Sequence, residues 1–184
     1  GSINLSTYTL TLGASAGSPG TLTYSAGTLY GGSFTRWFNT STIADGAATG
    51  LFPMGTSANY RPVYVSAPST APSAGGTITA LHTGNNGTTD VSFADGAATV
   101  ARRTNSFWTL STANGLTGGT YNLRGEGTGF GTVGNVADLR LTLAASVVGA
   151  AGANGTNGTY ASGYCSVRTE RGSGSASPSR TRMM

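Results

Sequence analysis

The sequence predicts an all-β protein: an antiparallel β-sandwich of about seven strands, preceded by a short β-solenoid-like or hairpin segment and followed by a disordered C-terminal tail. Three observations lead there. Apolar residues recur at every second position, the mark of half-buried strands. Glycine, Asn-Gly and Asp-Gly punctuate the chain at short intervals. Long runs of strong helix formers are missing, and lysine does not occur at all.

The elements come in order. In "INLSTYTLTL" (residues 3–12), Tyr8, Leu10 and Leu12 alternate with Thr7, Thr9 and Thr11. "GTLTYSAGTLYGGSFTRWF" (20–38) continues as short strands between glycines, in the manner of a few solenoid rungs that must lean on the strands C-terminal to them. We take residues 1–47 as this entry segment and 48–148 as the sandwich. Its strands are expected in "YRPVYVSA", "GTITALHTG", "TDVSFADG", "ATVARR", "SFWTLST", "GTYNLRGEG" and "DLRLTLAAS". The expected core is Phe52, Val63, Val65, Ile78, Val91, Phe93, Val100, Trp108, Leu110, Tyr121, Leu123, Leu139, Leu141 and Leu143. The hexapeptide "ADGAAT" occurs at 44–49 and again at 94–99, and both copies read as Asp-Gly hairpin turns entering a strand. Beyond Leu143 the alternation decays, so 149–184 reads as a flexible Gly/Ser/Arg-rich tail. The opening "GSINL" starts in mid-pattern, as a fragment or processed piece would.

Charge narrows the function. The body holds six arginines (Arg36, Arg61, Arg102, Arg103, Arg124, Arg140) against five acids (Asp45, Asp90, Asp95, Glu126, Asp138). Most of the net +4 therefore resides in the tail, in Arg168, Arg171, Arg180 and Arg182 less Glu170. Only Arg102-Arg103 form an adjacent basic pair, so a nucleic-acid groove is not expected. No apolar run is long enough to cross a membrane as a helix. The lone Cys165 lacks an internal disulfide partner and reads as a free thiol.

Catalytic inventory is thin, and no catalytic residue is assigned. His82, the single histidine, stands beside an Asn-Gly turn and reads as a solvated loop residue. Asp90 and Asp95 are five apart on a strand and should point to opposite faces, unlike a hydrolytic pair. The serines are not read as a nucleophile elbow, and a P-loop is absent from the sequence. No metal ligands or cofactor are assigned; the Asp-Gly pairs lack the Asp-x-Asp-x-Asp-Gly loop, which leaves calcium as a stiffening ion without designated ligands. Thr-x-Thr pairs at 7–9, 9–11, 21–23 and 77–79 read as solvent faces of strands rather than one flat array. Tyr30, Trp37, Tyr60 and Tyr64 are candidate ligand-facing aromatics that could stack on sugars. The competing reading packs Trp37 and Phe38 at the junction between the two parts.

"GSFTRWF", "GLFPMGTSANYRPVYVS", "SFWTLSTANGLTGGTYNL" and "DLRLTL", in that order over residues 20–143, resemble a module of large secreted surface proteins of the Bacteroidota, exported by type IX secretion. The Phe-Pro-x-Gly and Tyr-Arg-Pro-Val motifs carry most of that likeness. The resemblance implies an extracellular or cell-surface, adhesin-like protein of several modules with a separate C-terminal sorting domain, which "SVRTERGSGSASPSRTRMM" does not resemble. The implied partners are neighbouring modules of the parent chain, surface glycans or other cell-surface proteins.

Within the motif, Arg61 shares strand parity with Val63 and Val65. It is therefore expected to run along the core face as a structural pin, together with Pro53 and Gly55. Its guanidinium should reach the carbonyls of the 53–59 turn, or Asp138 or Glu126. Pro62 lacks an N–H, which puts it at a strand edge or start. The expected function is non-catalytic: structural spacing, display or adhesion, with a carbohydrate-binding module attached to an enzyme elsewhere in the parent as the alternative.

Overall fold

The computed structural model describes residues 1–85, 87–95, 98–129, 141–144, 156–161, 164–171 and 179–183. The first elements are β1 (Ser2–Asn4), β2 (Thr9–Leu12), β3 (Thr28–Tyr30) and β4 (Ser33–Phe38). They form a coil laid on a coil. β1 pairs in parallel with β3, Ile3 opposite Leu29, and β2 pairs in parallel with β4, Leu10 opposite Phe34. The corner from β3 to β4 is made by Gly31 and Gly32. Gly31 has φ +75°, and a Cβ on Gly32 would run into the Tyr8 carbonyl.

β4 does not stop at the entry segment. It pairs antiparallel with β7 (Gly76–Thr83), so the coil and the sandwich share one sheet. That sheet has the order β12 (Leu141–Ala144), β15 (Ser179–Met183), β10 (Phe107–Ala113), β7, β4, β2. A second sheet has the order β13 (Thr156–Ala161), β14 (Tyr164–Arg171), β11 (Tyr121–Gly127), β6 (Val63–Ser66), β5 (Leu51–Phe52). β8 (Thr88–Asp95) and β9 (Ala98–Thr104) form a separate two-stranded hairpin.

Alternation places Phe34, Phe38, Ile78, Ala80, Trp108 and Leu110 of the first sheet and Phe52, Val63, Val65 and Leu123 of the second in one core. Leu29, Ile43, Met54, Ala67 and Leu116 belong to the same core, and Tyr121 packs against it. Of the expected core, Leu139 lies outside the described residues, as do the side chains of Val91, Phe93, Val100, Leu141 and Leu143. Leu29, Phe34, Phe38 and Ile43 belong to the same core, so the expected boundary at residue 47 separates sequence styles rather than hydrophobic interiors.

Two expectations change. The first "ADGAAT" leads into a one-turn helix, α1 (Ala47–Gly50), where Thr49 Oγ1 donates to the Ala44 carbonyl at 2.5 Å, while the second has its ends in paired strands, Ala94 of β8 opposite Thr99 of β9 and Asp95 opposite Ala98. Identical residues thus follow their tertiary setting. The segment read as a flexible tail contributes β13, β14 and β15. β14 pairs with β11 and β15 with β10. Its Thr, Tyr and Val residues suit strands, and open edges of two sheets await them.

Candidate functional site

The "FPMG" loop, the start of β6, the end of β7 and the start of β10 converge on Arg61. The Arg61 side chain is 1 % exposed. Its Nε–H donates to the Thr128 carbonyl at 3.0 Å and an Nη–H to the Gly129 carbonyl at 2.8 Å. The main chain at Arg61 joins two more pieces. Its N–H donates to the Met54 carbonyl at 2.9 Å, and its carbonyl accepts the Trp108 Nε1–H at 2.8 Å. The carbonyl partners are those after β11 rather than those of the 53–59 turn. Glu126 pairs instead with Arg124, and Asp138 lies outside the described residues.

Pro53 and Gly55 tie the loop to the coil: Leu29 N–H donates to the Pro53 carbonyl and Gly55 N–H to the Leu29 carbonyl. Gly55 has no room for a side chain, since a Cβ would meet the Asn59 carbonyl, Thr28 and the Arg61 nitrogen. Pro62, whose missing N–H leaves no donor unsatisfied, sits immediately before β6.

His82 is the clearest correction. It is buried, not solvated, because β7 runs on through Thr83 and His82 keeps the core parity of Ile78 and Ala80. The Gly55 carbonyl, 2.9 Å away, can only accept, which fixes the proton on Nδ1. Nε2 then accepts the Ser106 hydroxyl proton at 2.7 Å. Trp108 packs beside the imidazole, centroids 5.7 Å apart. Burial, with the Arg61 charge nearby adding to it against the opposing Gly55 bond, lowers the His82 pKa to about 4. The ring is neutral at physiological pH.

A hydroxyl bonded to a neutral imidazole is the start of a nucleophile–base arrangement. Here Ser106 is 2 % exposed, and the Thr104 hydroxyl donates to its carbonyl. Among the described residues no group of three His, Cys, Asp or Glu side chains could hold a metal ion. Asp90 pairs with Arg102 at the surface, and a register shift between Asp90 and Phe93 interrupts the alternation that would set Asp90 and Asp95 on opposite faces.

The candidate aromatics are half-buried and occupy different places. Tyr60 stacks on Tyr24, centroids 5.9 Å apart, and its phenol pKa is raised by burial and by Tyr24 and Tyr64 beside it. Tyr64 lies under the Arg124 guanidinium, 3.7 Å from ring centroid to charge, and Arg124 is forked onto Asp45. Tyr30 is on β3. Trp37 is on the outer face of the six-stranded sheet, while Phe38 packs inward on Phe52.

That outer face gathers the threonines. Register places Thr11, Thr35, Thr79 and Ser111 in one row across β2, β4, β7 and β10, and Thr9, Ser33, Leu81 and Thr109 in the next. Thr35 and Thr79 hydroxyls are bonded to each other at 2.7 Å. Thr9, Thr11 and Thr79 thus share one sheet face with Thr35 and Thr109, a grouping that their scatter along the chain conceals, while Thr7, Thr21 and Thr23 lie outside the strands.

Sequence reasoning missed Arg36. It is buried, donates to the Leu51 carbonyl at 2.9 Å and the Ala48 carbonyl at 2.8 Å, and lies over Phe38 and Phe52. Burial lowers its pKa to about 10. The signal was its parity with Phe34 and Phe38. For Ser106 the sequence holds no comparable signal. No protein-family profile, no curated protein and no solved structure matches the chain.

Proposed function

We propose that this chain is a non-catalytic β module of an extracellular or cell-surface protein, serving structural spacing, display or adhesion. The observation that carries this reading is the sealed knot around Arg61. The residues of the Phe-Pro-x-Gly and Tyr-Arg-Pro-Val motifs spend their hydrogen bonds on joining loop, coil and both sheets. The likeness to the Bacteroidota module, with its type IX export, adhesin-like parents and neighbouring modules, supports the same reading. The burial of Ser106 and His82 supports the absence of catalysis. A panel of chromogenic esters and glycosides tests this: the expected result is no turnover, with Ser106→Ala changing only the melting temperature. Turnover that disappears in a folded Ser106→Ala variant would overturn it.

The carbohydrate-binding alternative draws on the outer face of the six-stranded sheet. Two rows of Thr and Ser hydroxyls, interrupted by Leu81, lie on the face of Trp37 and offer hydrogen bonds and one aromatic surface to a neutral sugar chain. Saturable binding on a glycan array, lost in Trp37→Ala and Thr79→Lys but kept in Thr99→Lys on the separate hairpin, would favour this alternative.

A further inference from the structure

Both parallel ladders of the coil run out at the same end. On one side β3 lies between the 53–55 segment and β1, and β1 is the last strand. On the other, β7, β4 and β2 succeed one another, and β2 is the edge of its sheet. Between the two edges opens a mostly apolar cavity of about 480 Å³, lined by Ile3, Leu10, Leu12, Leu22, Leu29 and Phe34 among others. Ile3 at 59 % and Leu10 at 44 % exposure stand at its mouth, with Tyr8 at 76 % nearby. Residues 1–12 carry no ionisable side chain except Tyr8, and no Pro, so the usual guards of a strand edge are missing.

We propose that this open coil face is a docking surface for one further β-coil, stacked parallel and in register, donated by a neighbouring module of the parent chain. The inference rests on the module reading above and names where that module is joined. The occupant's chemistry is set by continuity with the coil already in place. Leu10 sits opposite Phe34 and Ile3 opposite Leu29, so the next coil carries aliphatic or aromatic residues above Leu10 and Ile3. It is uncharged where it meets them, because a charge there would be buried beside apolar side chains without a partner. Its strands satisfy the free edge groups of β1 and β2 together. A second copy of the chain related by a two-fold axis would meet these edges with its own coil end, and could not extend both ladders in the parallel register that aligns these side chains.

The test uses the full chain with a duplicate of residues 1–26 placed ahead of Gly1. Hydrogen exchange at the amides of the original β1 and β2 is expected to slow by about tenfold or more relative to the parent chain, with a raised melting temperature. Leu10→Lys in the extended chain should remove that gain, while the same change in the parent leaves its melting nearly unmoved. Unchanged exchange at both strands would overturn the proposal. So would light scattering that finds the parent chain a stable dimer dissociated by Leu10→Lys, since the face would then belong to a second copy. Neither readout depends on activity, so an enzymatic function found elsewhere would sink the spacer reading without touching this one.

Discussion

Around Arg61 a guanidinium, an imidazole and an indole are buried together, and each has hydrogen-bond partners fixed by the surrounding chain. At the first coil the situation is reversed: simple aliphatic residues are exposed and, among the described residues, two strand edges have no partner strand. The two regions obey the same alternation, and they touch through Leu29 and Gly55. What separates them is completeness. Polar groups enter the interior where the fold supplies partners from several elements at once, so the knot is expensive to disturb and specifies the packing of both sheets. The coil face has few partners to lose, so disturbing it has little effect on the isolated chain.

Trp108 should define the upper end of that contrast. It is 0 % exposed, packs beside His82 and donates to the Arg61 carbonyl. Trp108→Ala is expected to lower stability by about 4 kcal/mol, since it leaves a large cavity and an unsatisfied carbonyl. Urea denaturation with an unchanged m value measures it. A loss below about 1 kcal/mol would place the energetic centre elsewhere.

The next effect needs no mutation. His82 has a folded pKa of about 4 against an ordinary 6.5, so between those values the unfolded chain binds the proton and the folded chain does not. The stability attached to the neutral ring is fully present above pH 6.5 and falls as the pH drops towards 4. The total is about 3 kcal/mol for a shift of this size. Denaturation midpoints from about pH 7 down to about pH 4 should show the fall, and His82→Gln should flatten it. A slope that persists in His82→Gln would assign it to the carboxylates.

Arg61→Ala comes third, at about 2 kcal/mol. The guanidinium is buried, but Thr128 and Gly129 are exposed, so water can replace part of what their carbonyls lose. Arg61→Lys should recover less than half, because an ammonium cannot donate in the fork geometry that spans two carbonyls. Full recovery with lysine would make the charge, rather than the geometry, the important quantity.

How much of the molecule was legible in the sequence divides along the same line. The all-β class was readable because side-chain alternation is local, and Arg61 was placed inward by its parity with Val63 and Val65. Its acceptors were not readable. Thr128 and Gly129 are far away in sequence, and only the β6–β11 register brings them close. His82 was misread because an Asn-Gly turn beside it outweighed its parity with Ile78 and Ala80. The threonine rows were invisible for the same reason as the carbonyls: register across four strands is a tertiary fact. The two "ADGAAT" segments make the limit plain, since a hexapeptide cannot choose between helix and hairpin without its neighbours.

Leu10→Ser should produce the smallest change, below about 0.5 kcal/mol in the parent chain. Leu10 is 44 % exposed and lies on an edge strand, so its removal deletes few contacts and leaves no sealed cavity. That small number is informative because Leu10 lies directly opposite Phe34, which is only 2 % exposed in the shared core. Phe34→Ser, one strand further in, should lose several times as much, as burying a hydroxyl adds to the lost aromatic volume. If Leu10→Ser instead destabilised the chain as strongly as Phe34→Ser, the first coil would already be closed by something in solution. The contrast between sealed knot and open face would then vanish.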